Sequence, residues 1–289
     1  MSLTSSSVVP VLSKHELEYL ADQHTQSFNR YDGKDDPGFS AWKFAAHYLG
    51  KAVRFEWLSN DGCILGLSSF ANGTKVPVYL PEEQRINWLV LGPDTILLSK
   101  TLKDSFLDPG KPRFTLMHEC AHHLLHKRYF QRKAASGSGE AIAYSLQRDE
   151  ERAFTQLETA WTDEDRIEWQ ANYLAGALLM PGKRVDRILV ERGYQEDYYQ
   201  HVLAGSSERA AYQQLSSRLA CTFKVSMTAA KIRLDALGFE RLPDLQIRKP
   251  DPWLQYLPEP KKARMTKEER REERIALAWE KKRIKEHGW

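Results

Sequence analysis

Cysteine is scarce. Cys63, Cys120 and Cys221 are the only three in 289 residues, scattered and odd in number. That excludes a disulfide framework and points to a reducing compartment. Long apolar runs are also lacking, and none approaches the roughly 20 residues a membrane-spanning helix needs. The opening residues have no basic stretch, and Val8-Val9-Pro10-Val11-Leu12 is too short an apolar core for a secretory leader. A cytoplasmic protein without membrane contact is therefore expected. Net charge is small, +3, but unevenly placed. From Lys261 to Trp289 eleven basic and six acidic residues give +5, so the rest of the chain carries −2. The length suits one sizeable domain with additions, or two small ones.

Against this ordinary background stands His118-Glu119-Cys120-Ala121-His122, an H-E-x-x-H pattern. It lies in Pro112–Lys127, where Phe114, Met117, Ala121, Leu124 and Leu125 recur at helical spacing. Pro112 suits a first helical turn. On a helix, residues i and i+4 share a face, so both imidazoles can reach one tetrahedral zinc ion. The glutamate between them is placed to take a proton from an attacking water. The competing reading is a pair of surface histidines on an amphipathic helix.

A two-histidine zinc site needs a third protein ligand. A metzincin would place Gly and His three and six residues after His122, but Leu125 and Arg128 stand there, so that class is excluded. His126 lies two turns from His118, about 12 Å along a straight helix, and His123 points about 100° away from His122. Both fit better as supporting or surface groups. Cys120 faces away from His118 and reads as a small buried residue. A carboxylate on another helix is the better candidate. Thr162 reads as an N-cap before Asp163-Glu164-Asp165, and Ile167, Ala171, Leu174, Ala175 and Leu178 make one apolar face up to Pro181. Glu168 and Asn172 border that face at i and i+4. Spacing leaves two readings of Glu168 open: a metal ligand with Asn172 supporting the site, or a solvated helix charge.

The string from Arg113 to His126, R-F-T-L-M-H-E-C-A-H-H-L-L-H, resembles the zinc helix of the ImmA/IrrE-type metallopeptidases. The later string from Glu168 to Pro181 is similar to that family's second motif, E-x-x-A-N-x-F-A-x-x-L-L-M-P. Ala121 stands where the family usually has Gly, and Leu174 where it has Phe; both are packing changes. The resemblance implies His118, His122 and Glu168 as ligands of one Zn²⁺, Glu119 as the catalytic base, and Asn172 and His126 as supporting residues. It also implies a regulatory endopeptidase that cuts a helix-turn-helix-type repressor. His123, His126 or a Tyr of the insertion are candidates for stabilising the oxyanion.

The expected fold is α+β. N-terminal helices occupy 1–50, with periodicity over 13–29 and again over Ala41–Leu49. A zincin-like metallopeptidase core occupies 51–182. Its small mixed sheet is expected from Val53–Leu58, Ile64–Phe70, Val76–Leu80, Asn87–Leu91 and Thr95–Ser99, and the H-E-x-x-H helix follows. Zincins pair an extended substrate with an edge strand, and Thr95–Ser99 is the candidate for that edge. An insertion at about 131–161 reads as a flexible stretch plus a helix. Residues 183–248 are helical. Within them Leu215–Phe223 and Thr228–Leu237 resemble a helix-turn-helix, capped by Ser226 and ended by Gly238. Packing under the core is the favoured role for this pair. A DNA contact through Lys231 and Arg233 is the alternative, and with it a DNA-binding or antitoxin-like regulator whose zinc site is structural or inactive. A linker with four prolines, Pro250–Pro260, then leads to a basic, charged tail helix within 249–289. That helix is either solvated or a contact for DNA or an acidic partner.

Overall fold

The computed structural model describes residues 9–103, 110–137, 141–146 and 162–243. Two compact units divide the chain, Met1–Leu245 and Gln246–Trp289, and every described residue belongs to the first. The expected linker and tail helix, and residues 147–161 of the insertion, lie outside the described residues. The architecture is mixed α and β. Among the described residues no helix is long and apolar enough to cross a membrane.

Helix α1, Lys14–Asp32, opens with a capping box between Ser13 and Glu16 and closes at Gly33, whose φ of 67° is left-handed. A short helix α2, Ala41–Lys43, runs into one π turn, Phe44–Tyr48. Five strands follow: β1 Ala52–Glu56, β2 Ile64–Ser69, β3 Thr74–Leu80, β4 Arg85–Leu91 and β5 Thr95–Ser99. Next come α3 Gly110–Leu125, α4 Lys127–Ala135, a sixth strand β6 Ile142–Leu146, and α5 Asp163–Leu179. The chain continues through α6 Gly182–Glu191, α7 Tyr194–Leu203, α8 Glu208–Phe223 and α9 Met227–Ala236.

The main sheet has the order β1-β5-β2-β6. β1 and β5 are parallel; β5 with β2 and β2 with β6 are antiparallel. Two expectations are corrected here. β5 is an inner strand between β1 and β2, so it offers no free edge. All five of its residues are buried, as expected of a strand covered on both faces. And the segment read as a flexible insertion plus a helix contributes β6, which pairs with β2 at one end of the sheet among the described residues. The sequence hid β6 because five residues next to a Gly/Ser run give little period-2 signal.

Ile96 and Leu98 of β5 face the large core built from α1, α3, α5, α8 and α9, which runs from Leu17 to Leu234. Leu97 points the other way, into a smaller cluster under the β3–β4 hairpin with Val76, Val78 and Leu91. A third cluster gathers Val9, Phe70, Phe130, Ala143 and Ile167. It seats the segment before α1 against α4, α5 and β6. Helices α3 and α5 pack against each other inside the large core, and that contact creates the site.

Candidate metal centre

α3 is anchored at its start by Arg113, whose guanidinium donates to the carbonyls of Phe39 and Phe223. Two turns on, the helix buries Met117, Cys120 and Ala121 in the core and turns His118 and His122 toward α5. α5 starts with the Thr162–Asp165 capping box, its three acids favourable in the first turn. Its apolar face, Ala171, Leu174, Ala175 and Leu178, is fully buried. Glu168 on the border of that face is carried to α3.

The result is a convergence of three donors. Nε2 of His118 and Nε2 of His122 are 2.9 Å apart. The Glu168 carboxylate lies 3.5 Å from the first and 3.6 Å from the second. The ligand atoms of all three residues fall within 4.8 Å of one another. Zinc–donor distances of about 2.0–2.1 Å place neighbouring corners of a tetrahedron roughly 3.3 Å apart. The observed separations, two of them to different oxygens of the Glu168 carboxylate, lie close to that value, so the three side chains are placed to converge on one zinc ion. His118 and His122 are almost wholly buried, and Glu168 is half-buried.

Each imidazole is held from behind. Nδ1 of His118 is 2.9 Å from Oδ1 of Asn172. Nδ1 of His122 is 3.1 Å from Nδ1 of His126, whose Nε2 is 2.9 Å from Oε1 of Gln170. Burial alone would lower the pKa of His118, but hydrogen bonding and charge from Glu168, with Glu119, hold it above the ordinary value. His122 is driven well below, by burial and by the neighbouring His118 and His126. His126 falls to about 4, burial outweighing the Gln170 hydrogen bond.

Glu119 is fully buried beside this group. Its Oε2 accepts from the Ser68 hydroxyl at 2.6 Å, and its Oε1 accepts from the Ser145 hydroxyl. One serine comes from β2, the other from β6. A Cβ added at Gly66 would collide with the Glu119 carboxylate, so that β2 position needs glycine. Burial pushes the carboxyl up to about 7, against the lowering influence of His118 and the two serines. A carboxyl poised near neutrality is suited to exchanging a proton.

The other candidates fall elsewhere. His123 packs its ring on Phe70 at a centroid distance of 4.8 Å, and burial with the Lys51 charge lowers its pKa to about 3. His126 spends both ring nitrogens on His122 and Gln170. The DNA-contact expectation for Arg233 is corrected: the side chain is 3 % exposed and forms a two-pronged ion pair with Glu18, while its Nε donates to the Met180 carbonyl. Lys231, two residues back toward the helix start, is only half-buried. Sequence reasoning missed Ser68, Ser145 and Gln170. For the serines no local pattern existed, because their role depends on strand pairing. Gln170 carried a signal: it follows Ile167 by three residues and precedes Leu174 by four, a polar residue on the apolar face that must find a partner.

Residues 101–235 match the family model described as IrrE N-terminal-like domain, Peptidase_M78. The match supports a relationship of this segment to the ImmA/IrrE family. The matched segment spans both halves of the donor set, α3 and α5, and ends within α9. The family is one of zinc-associated peptidases, and the His118, His122 and Glu168 cluster agrees with that chemistry. No curated protein matches the chain. Among solved structures, a Mycobacterium tuberculosis transcriptional regulator matches at 14 % identity with a TM-score of 0.36, covering 76 % of this chain and 47 % of its own. The chain thus spans about half of that protein's length.

Proposed function

We propose that the chain is a zinc-dependent endopeptidase that cuts a protein partner, with a helix-turn-helix-type repressor as its substrate. The observation that supports this most is the convergence of His118, His122 and Glu168 beside a buried Glu119, within a segment of a peptidase family. His118 Nε2, His122 Nε2 and a Glu168 carboxylate oxygen would hold one zinc per chain. Zinc supplies Lewis-acid activation of a water and of the scissile carbonyl. Glu119 takes a proton from the attacking water and returns it to the leaving amine. Its pKa near neutrality lets it do both. The two serine hydroxyls fix the carboxylate's direction without neutralising it.

The substrate strand is assigned to β6 rather than β5. β6 is one of the two outer strands of the sheet among the described residues, and it carries Ser145 onto Glu119. An extended peptide added alongside it would run past the base.

Two variants test the reading. Wild type should carry one zinc by elemental analysis, and Glu168→Ala should lose it. Glu119→Gln should keep zinc and fold but lose at least about 100-fold in cleavage rate. A Glu119→Gln protein that still processes its partner at the wild-type rate would sink the proposal. A well-folded wild type without zinc would sink it earlier.

A further inference from the structure

We propose that the segment before α1 is a working part of the metal centre: the carbonyl of Pro10, acting through Gln170 and His126, sets which nitrogen of His122 carries its proton. The inference rests on reading His118, His122 and Glu168 as a zinc site.

The argument is one of hydrogen-bond polarity. Gln170 is fully buried, and its Nε2 donates to the Pro10 carbonyl at 2.6 Å. A carbonyl can only accept, so the amide group of Gln170 must point its NH₂ at Pro10. Its Oε1 then faces Nε2 of His126 at 2.9 Å, and that nitrogen must carry a hydrogen. A neutral imidazole has one ring hydrogen, so with it on Nε2 the Nδ1 of His126 is a bare lone pair. The only group it can accept from across 3.1 Å is Nδ1–H of His122. With the single hydrogen of a neutral His122 on Nδ1, its Nε2 is left as a lone pair aimed at His118 and Glu168. Four groups in series thus deliver one lone pair to the donor cluster.

The opposite polarity is blocked at the far end. If His122 kept its hydrogen on Nε2, every bond in the series would reverse. Gln170 would then turn its oxygen onto the oxygen of Pro10 at 2.6 Å, a repulsive contact. The segment cannot easily move away to relieve it. Val9 is 2 % exposed and sits in the cluster with Phe70, Phe130 and Ile167. Gln170 and His126 are positioning residues, since neither belongs to the donor cluster. An imidazole held in its ligating tautomer binds metal more tightly, and loss of such an outer partner typically weakens binding about 10–100-fold.

The full-length chain is used throughout. Histidine ¹⁵N long-range correlation spectra of the metal-free protein report each tautomer directly. Wild type should show His126 protonated on Nε2 and His122 protonated on Nδ1, and Gln170→Leu should show mixed tautomers at both. The reverse tautomers in wild type would overturn the proposal, whether or not zinc binds. Zinc affinity is then measured by chelator competition, with cobalt absorption as a check on site geometry. Gln170→Leu and His126→Leu should each lose about 10–100-fold, and the double variant no more than the larger single loss. Unchanged affinity in Gln170→Leu, or losses that multiply in the double variant, would overturn the series as a unit. Should Gln170→Leu fail to fold, Val9→Ser loosens the same segment with every member of the series intact. It should weaken zinc binding while the metal-free chain stays folded with a modestly lowered melting temperature, and wild-type affinity would overturn the part assigned to Pro10. Predicted tautomers in a chain that binds no zinc would sustain the series and sink the zinc reading instead.

Discussion

A buried carboxylate with hydroxyls on both oxygens is an arrangement whose parts have separable effects. Removing the Ser145 hydroxyl leaves Oε1 of Glu119 without its partner in a dry site, and a hydrogen bond to a charged group is worth about 1.5–3 kcal/mol. Ser145→Ala should therefore cost about 1.5–3 kcal/mol of stability, measured by urea unfolding, with zinc content unchanged. Its cleavage rate should fall by about tenfold or more, because the base loses direction rather than chemistry. Ser68→Ala should behave alike on the other oxygen. A rate loss matched by zinc loss would show that the serines support the ligands rather than Glu119. The contrast between these serines and His118, Glu119 and His122 explains what was readable. The motif residues are linked by helical spacing, which a sequence displays. The serines come from strands separated in the chain by α3 and meet Glu119 only through sheet register, which a sequence does not display.

Elements were legible where their periodicity was long. The donor-bearing helices α3 and α5, and the pair α8 and α9, announced themselves by apolar spacing and by the Thr162 and Ser226 caps, both of which bond as expected. Strand order was not legible. The run Thr95-Ile-Leu-Leu-Ser99 has apolar residues at successive positions, the mark of a strand covered on both faces, and that should have argued against an edge. α9 shows the same limit. Its Arg233 reads as a surface cation until α1 supplies Glu18 to meet it. That pair lends itself to a test. Glu18→Gln leaves a buried guanidinium without its counter-charge, and should destabilise the fold by about 2–3 kcal/mol at neutral pH. Burial acts to raise the pKa of Glu18, but Arg233 and Tyr173 outweigh it, and the folded-state value lies below the ordinary one. A depressed carboxyl contributes fully above its unfolded pKa of about 4.3 and loses that contribution as pH falls through the folded value. The stability gap between wild type and Glu18→Gln should therefore be constant near neutrality and shrink as pH drops below about 4. Melting curves across that range check it, and a gap that widens toward acid would refute the pairing.

At the scale of the molecule, the candidate metal centre joins parts of one core rather than decorating a surface. His118 and His122 lie on α3, Glu168 lies on α5, and both helices bury their opposite faces in the cluster that runs from Leu17 to Leu234. Zinc bound between them would have no comparable site in the unfolded chain, so its binding adds to stability by mass action. At a free concentration of about 100 times the dissociation constant the gain is about 2.7 kcal/mol. For a unit of this size, 1 kcal/mol shifts the melting temperature by about 2–4 °C. A chelator should thus lower the melting temperature of the wild type by about 5–10 °C, reversibly on adding zinc. Glu168→Ala should melt near the chelated wild type and respond little to either reagent, because a site left with two histidines holds zinc weakly. Glu119→Gln should respond as fully as wild type, since Glu119 is assigned to proton transfer and not to the metal. That difference between two neighbouring carboxylates, read on stability alone and without any substrate, separates the ligand from the base. If Glu119→Gln lost the zinc response and Glu168→Ala kept it, the two roles would have to be exchanged.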